Sequence, residues 1–141
     1  MLVRVSTTAE ETRWFSSGPQ APGRARRLLS GLLAGVPGSG PYVDTGLLLI
    51  SELVTNAVEH APVPGRLLMV RVQLRDGALR IEVHDPSGVR PLPRTAGPDA
   101  ESGRGLLLVR SLAAGWGCCP RAGGAGKIVW CTVVPPAGGG A

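Results

Sequence analysis

The sequence predicts an α+β two-layer sandwich, in which a mostly antiparallel mixed sheet carries helices on one face. Two segments, 19–35 and 47–62, have apolar residues at helical spacing. Residues 66–85 instead alternate apolar and polar side chains on both sides of an Asp-Gly pair, a strong hairpin pattern. Helices followed by an antiparallel hairpin are typical of this class. With 141 residues, the chain has the length of one domain.

The N-terminal elements are predicted from local patterns. "LVRVS" and "ETRWFS" are expected to form a first strand or hairpin. The segment 19–35 follows with leucines at helical spacing and basic residues on the other side, and "VPGSGPY" ends that helix. Aromatic residues make up only 4% of the chain, so Leu, Val and Ala are expected to fill the core.

The second helix contains "LLLISELVTNAVEHAP", residues 47–62. Asp44 or Thr45 is expected to cap its start, and Pro62 and Pro64 stop it. One face carries Leu47, Ile50, Val54, Ala57 and Ala61, and the opposite sector carries Glu52, Asn56 and Glu59. A buried carboxylate needs a partner or a ligand. These polar residues therefore either serve a function or form a solvent-exposed stripe, and the helix alone leaves both open.

The C-terminal half begins with a segment rich in Pro, Gly and Ser, residues 86–103, which predicts a long functional or mobile loop. A helix is expected over "GRGLLLVRSLAAGWG" (103–117), and "KIVWCTVV" (127–134) is the last strand. We expect one domain over residues 1–135 and a disordered tail at 136–141.

Composition excludes several classes of protein. No apolar run approaches the roughly 20 residues of a membrane span, and the N-terminus lacks a signal peptide's apolar middle, so we expect a soluble cytoplasmic protein. The three cysteines have no zinc or redox spacing and are interpreted as reduced and structural. The formal net charge is +5, but among the dispersed arginines only Arg24, Arg26 and Arg27 cluster. This cluster favours a solvated helix face or a protein-docking patch over nucleic-acid binding.

Two further motifs contain residues that could bind a ligand. Asp85 in "VHDPSG" ends a strand at the start of the long loop, where a carboxylate can accept a hydrogen bond from a ligand amine. Gly103 and Gly105 flank a helix start, where bare N–H groups and the helix dipole favour a phosphate. Each also has a structural interpretation, as a turn-initiating Asp before Pro and as a flexible joint.

Taken together, "SELVTNAVEHA", "IEVHDPSG", "SGRGLLLV" and "GKIVW" resemble the N, G1 and G2 boxes of the GHKL ATP-binding fold. That fold, the Bergerat fold, is shared by gyrase, the heat-shock chaperone, histidine kinases and MutL. The match is closest to the small anti-sigma-factor serine kinases of actinobacteria (RsbW/SpoIIAB-like), over roughly residues 14 to 135. No histidine-bearing or sensor region precedes these boxes, so we do not expect a sensor histidine kinase.

The resemblance implies ATP and Mg²⁺ as cofactors and assigns roles to particular residues. Glu52 would be the general base, Asn56 would coordinate magnesium, and Asp85 would accept a hydrogen bond from the adenine amino group. Residues 86–103 would form the ATP lid. The remaining nucleotide-binding positions would be Gly88, Gly103, Arg104, Gly105 and Leu106. Ser87 and Val89 depart from the family pattern, because glycines are commonest there.

The implied function is an ATP-binding anti-sigma factor that phosphorylates a serine of an anti-sigma-factor antagonist in a partner-switching pathway. Its partners would be a sigma factor and that antagonist, it would form a homodimer, and it would bind neither membrane nor nucleic acid directly. The alternative is a non-catalytic switch of the same fold, whose nucleotide controls protein binding without phosphate transfer.

Overall fold

The computed structural model describes residues 8–60, 65–86, 109, 111–122 and 126–135. The elements in chain order are β1 (Ala9–Ser16), α1 (Ala21–Ala34), α2 (Gly40–His60), β2 (Leu67–Arg75), β3 (Ala78–Asp85), β4 (Gly115–Pro120) and β5 (Lys127–Val133). The strands form one sheet in the order β1-β2-β3-β5-β4. Each neighbouring pair is antiparallel. The predicted α+β sandwich is confirmed, and the described sheet is antiparallel throughout rather than mixed.

The predicted hairpin forms between β2 and β3. Asp76 and Gly77 have positive φ angles of 52° and 78°. This is the backbone geometry that an Asp-Gly pair favours in a two-residue turn. The Tyr42 hydroxyl donates a hydrogen bond of 2.6 Å to the Gly77 carbonyl, so α2 is attached to the same turn.

One face of the sheet packs against both helices. Gly46 lies where α2 meets both α1 and the sheet, because a Cβ at this position would be 3.0 Å from Leu79 of β3 and 3.2 Å from Leu29 of α1. The alternation of β2 and β3 directs aliphatic side chains to this face, as the pattern predicted. Fully buried core residues include Leu29, Leu33, Leu49, Ile50, Leu53, Val54, Leu68, Val70, Val72, Leu79, Ile81 and Val83. No helix in the described ranges is long and apolar enough to cross a membrane.

The start of α2 differs from the prediction. The helix begins at Gly40, so Asp44 and Thr45 lie inside it and the prediction that one of them caps it was wrong. Pro41 does not interrupt the first turn, because the N–H that proline lacks has no helical partner there in any case. The segment "VPGSGPY" therefore contains both the end of α1's connection and the first turn of α2.

The predicted helix over 103–117 is wrong at its C-terminal end. Val109, Ser111 and Leu112 are helical, but the chain has entered β4 by Gly115. The first residues of that prediction, 103–108, lie outside the described residues, as do "LVRVS" and the tail 136–141. Strand β4 was missed because glycine is rare in strands. Here Gly117 is required, since a Cβ would lie 2.9 Å from the Trp130 ring of β5.

Candidate functional site

The three polar residues that share one sector of α2 are buried to different extents. Asn56 is buried with 9% of its surface exposed, Glu52 is half-buried, and Glu59 is exposed. All three positions share a sector by helical geometry, but neighbouring elements cover them unequally. The interpretation as a solvent-exposed stripe therefore fits Glu59 and fails for Asn56.

Asn56 has an unusual environment for a buried amide. Among the described residues, its Nδ2 atom is buried without a hydrogen-bond partner. Leaving a buried N–H unpaired costs about 1–3 kcal/mol, and such groups are uncommon unless a ligand, an ion or a water satisfies them. The amide is therefore a candidate ligand contact.

Asp85 ends β3 on the face that packs against the helices, in phase with Ile81 and Val83. Only 3% of its surface is exposed. A carboxylate at this depth requires partners, because burial of an isolated charge is costly. The sequence placed Asp85 correctly at a strand end, and the structure adds that the strand end is buried.

One partner of Asp85 is Arg66, a residue that the sequence-based prediction missed. Arg66 Nη1 lies 3.2 Å from Asp85 Oδ2, and both side chains are almost completely buried. Its Nη2 donates to the Ala57 carbonyl at 2.6 Å and to Ser17 Oγ at 3.5 Å. The available signal was its phase: Arg66 stands two residues before Leu68, in step with the buried positions of β2.

Arg66 connects the two ends of the site. Ala57 follows Asn56 directly and belongs to the last turn of α2, whose carbonyls lack partners within the helix. A guanidinium there satisfies a carbonyl and complements the negative end of the helix dipole. A single side chain thus joins the segment after Asn56 to Asp85.

Gly126 closes the sheet beside Asp85. Its φ is +113°, and a Cβ at this position would overlap the Asp85 carbonyl oxygen and lie 2.8 Å from the Cα atom of Pro86. The start of β5 can approach the end of β3 this closely only because residue 126 has no side chain. The motif "GKIVW" begins with this glycine, and its structural role is visible only in the folded chain.

The residues present fit magnesium bound together with a nucleotide. No group of three or more His, Cys, Asp or Glu side chains within the described ranges could hold a metal ion. Magnesium, however, commonly takes one or two protein oxygens and completes its shell with phosphates and water. The amide oxygen of the buried Asn56 is a ligand of the kind that this arrangement uses, whereas its unpartnered Nδ2 N–H fits an acceptor such as a phosphate oxygen.

The other predicted nucleotide contacts lie outside the described residues: Gly88, Gly103, Arg104, Gly105 and Leu106, together with residues 87–103 of the predicted lid and thus Ser87 and Val89. Their roles stay predictions. Asn56 and Asp85 are the predicted binding positions that lie within the described residues, and Arg66 links Asp85 to Ala57, the residue after Asn56. Glu52 lies one helical turn before Asn56.

A separate charged cluster lies on the opposite face of the sheet. Glu82 binds Arg80 Nε at 2.6 Å and His84 Nε2 at 2.8 Å, and the Arg80 guanidinium stacks 4.5 Å from the Trp130 ring centre. Burial alone would raise the pKa of Glu82, but the hydrogen bonds and charges of Arg80 and His84 outweigh it and lower that pKa. These residues alternate with the buried positions of β3 and so point away from Asp85.

The cysteines are free, as predicted, but only one is structural in the sense of being buried. Cys131 lies in the core, and burial raises the pKa of its thiol to about 12. Cys118 and Cys119 are exposed on the edge strand β4.

Comparison with known proteins identifies the class. A family model of the histidine kinase-like ATPase domain matches residues 15–132. The chain belongs to this family, and the resemblance to GHKL ATP-binding domains is confirmed. Membership implies that the domain binds ATP, typically with magnesium.

A solved structure extends this comparison. The crystal structure of the RsbU and RsbW domains of Rv1364c from Mycobacterium tuberculosis matches with a TM-score of 0.64 and 22% sequence identity. The alignment covers 89% of this chain and 32% of that chain, so the protein spans about a third of the matched structure. At this identity the similarity shows a shared fold. No curated protein matches the sequence.

Proposed function

We propose that this protein is a cytoplasmic ATP-dependent serine kinase of the anti-sigma-factor type. It would bind a sigma factor and phosphorylate a serine of the protein that antagonises this binding. The observation that supports a kinase most directly is Glu52, a half-buried carboxylate one turn before the buried Asn56 on α2. A domain that only bound nucleotide would have no need of a base at this position.

The nucleotide would lie between the end of β3 and α2. Asp85 would accept a hydrogen bond from the adenine amino group, and Asn56 would hold magnesium with the phosphates. The burial of Asp85 supports the first assignment. Asn56 would hold magnesium through its amide oxygen, and its unpartnered Nδ2 N–H would donate to a phosphate oxygen. Magnesium, when bound, would neutralise phosphate charge during transfer. The glycines at 88, 103 and 105, with Arg104 and Leu106, would lie along the nucleotide.

Glu52 would act at the phosphate end of this site. Side chains four residues apart on a helix are neighbours, with about 5–6 Å between their Cβ atoms, so Glu52 lies next to Asn56. In the proposed step the substrate serine oxygen bonds to the γ-phosphorus, the bond from that phosphorus to ADP breaks, and Glu52 takes the hydroxyl proton. A positioned base of this kind contributes about 10²-fold or more to the rate.

Nucleotide binding is tested first, by thermal unfolding with and without Mg-ATP. A ligand that binds only the folded state raises the melting temperature. We expect a rise for the wild type and a clearly smaller one for Asn56→Ala and for Asp85→Asn, of which the second keeps the size of the side chain beside Arg66. An unchanged wild-type melting curve at millimolar Mg-ATP would contradict the proposed nucleotide site.

Phosphate transfer is tested with Glu52→Gln and its matched control Glu59→Gln. Both make the same change on the same helix, but Glu59 is exposed. With radiolabelled ATP and each small candidate antagonist from the host, we expect Glu52→Gln to bind ATP and to lose transfer by about 10²-fold or more. Glu59→Gln should transfer as the wild type does. Wild-type protein that binds ATP and a sigma factor but transfers nothing would be the non-catalytic switch instead.

The partner surface is proposed to include the basic side of α1. Arg24, Arg26 and Arg27 are exposed there, but Arg26 also donates a 2.8 Å hydrogen bond to Ser51 Oγ of α2. Reversing the charges of Arg24 and Arg27 alone should therefore weaken capture of an acidic partner and spare ATP binding. Equal loss of both activities would assign the arginines to folding. A homodimer is also proposed, and sedimentation of the purified protein measures it.

A further inference from the structure

We propose that Arg66 is a positioning residue that fixes the Asp85 carboxylate for the adenine amino group and so sets the base selectivity of the site. This inference rests on the proposed nucleotide site. Arg66 would not contact the reacting atoms and would act only through Asp85.

The guanidinium is held from three sides. It contacts the Asp85 carboxylate at 3.2 Å, the Ala57 carbonyl at 2.6 Å and Ser17 Oγ at 3.5 Å. These partners lie at the end of β3, in the last turn of α2 and just after β1. Because the guanidinium is planar and its donors form a rigid fork, binding Ala57 and Ser17 through one nitrogen restricts where the other nitrogen points.

The backbone of Arg66 is fixed as well. Its carbonyl accepts a 2.6 Å hydrogen bond from the Ser17 N–H, and the next residue, Leu67, pairs with Ser16. Gly65 precedes it with a φ of +80°, which turns the chain into β2. The arginine thus projects from an anchored position at the start of a strand, and its contacts do not depend on a free loop.

Selection of adenine requires an acceptor in one fixed place. A carboxylate that keeps its position accepts from the 6-amino group and gains nothing from a purine that lacks it. Without the arginine, Asp85 would lose the cation that lies 3.2 Å from its carboxylate and would be free to rotate away from the adenine amino group. Rotation would make the carboxylate a poorer acceptor for the amine.

The experiment compares the affinities for ATP and for purine riboside triphosphate, which differs from ATP only by lacking the 6-amino group. They are measured for the wild type, Arg66→Met and Arg66→Lys. Arg71→Met is the matched control, because Arg71 lies on β2, the strand that follows Arg66, but forms a half-exposed ion pair with Glu10 on the other face. A hydrogen bond to a charged acceptor favours ATP by roughly tenfold to a hundredfold in the wild type.

We expect this preference to fall close to one in Arg66→Met, with affinity for purine riboside triphosphate nearly unchanged. Arg66→Lys should be intermediate, since a single ammonium group pairs with Asp85 but cannot reproduce the fork that also binds Ala57. Arg71→Met should keep the full preference.

Other results overturn the proposal in distinguishable ways. A wild type that binds neither nucleotide would refute the proposed nucleotide site itself, and the inference with it. A wild type that prefers ATP, together with an Arg66→Met variant that binds both nucleotides more weakly by one common factor, would limit Arg66 to stabilising the fold. A wild type without preference, or failure of both Arg66 variants to fold, would likewise reduce Arg66 to a structural role.

Discussion

Replacing Gly126 with alanine tests how closely β5 approaches the end of β3. The added methyl group would overlap the Asp85 carbonyl oxygen and lie 2.8 Å from the Cα atom and 3.0 Å from the carbonyl carbon of Pro86. These are backbone atoms, so no side-chain rotation relieves the contact. The two strands must separate where Asp85 pairs with Lys127.

The cost has two sources. Alanine at a φ of +113° is strained by about 1–3 kcal/mol. Inserting a methyl group into a packed position adds about 1–3 kcal/mol. The sum, about 4 kcal/mol, is a large part of the roughly 5–15 kcal/mol that stabilises a typical domain. Gly38→Ala is the control, because its φ is +80° and a Cβ there meets nothing within 4 Å.

Urea unfolding of the wild type and both variants measures the difference. We expect Gly38→Ala to lose about 1–2 kcal/mol from the strained backbone alone, and Gly126→Ala to lose about 2 kcal/mol more. Equal losses would show that the strands do not approach each other as closely as described. A wild-type-like Gly126→Ala would also contradict the positive φ at this residue.

Three further predictions concern single side chains. At mildly alkaline pH a thiol reagent should label the two β4 cysteines quickly and Cys131 only after unfolding. Burial covers the Cys131 thiol and raises its pKa to about 12. Rapid labelling of all three cysteines would contradict the burial of Cys131. Glu82→Gln should destabilise the protein near neutral pH. The pKa of Glu82 is lowered in the folded state, so its carboxylate stabilises the fold at a pH above its unfolded-state pKa, and this stabilisation is lost as the pH falls through the folded-state pKa. The difference in unfolding free energy between Glu82→Gln and the wild type should therefore vanish in acid. Tyr42→Phe should cost about 1 kcal/mol in urea unfolding, since it removes the hydrogen bond to the Gly77 carbonyl.

The sequence by itself determined the features that depend on neighbouring residues. The alternation on both sides of Asp76 and Gly77 specified the β2–β3 hairpin, and helical spacing specified α1 and most of α2. The same local patterns placed Asn56 on a helix and Asp85 at the end of a strand. Their order along the chain identified the family, because each box is a short contiguous segment.

The tertiary structure decided what depends on distant residues. Helical geometry put Glu52, Asn56 and Glu59 in one sector, but only the packing of other elements made the second buried and the third exposed.

Strand β4 and the site around Arg66 also depend on contacts between residues that are distant in the sequence. The glycines of β4 are explained by Trp130, which lies over Gly117 from the next strand. Arg66 takes its role from partners at 17, 57 and 85. A charged residue at the start of a strand has no fixed meaning along the chain. It becomes part of a site when folding places a carboxylate and a helix end against it, since a buried charge is stable only with such partners.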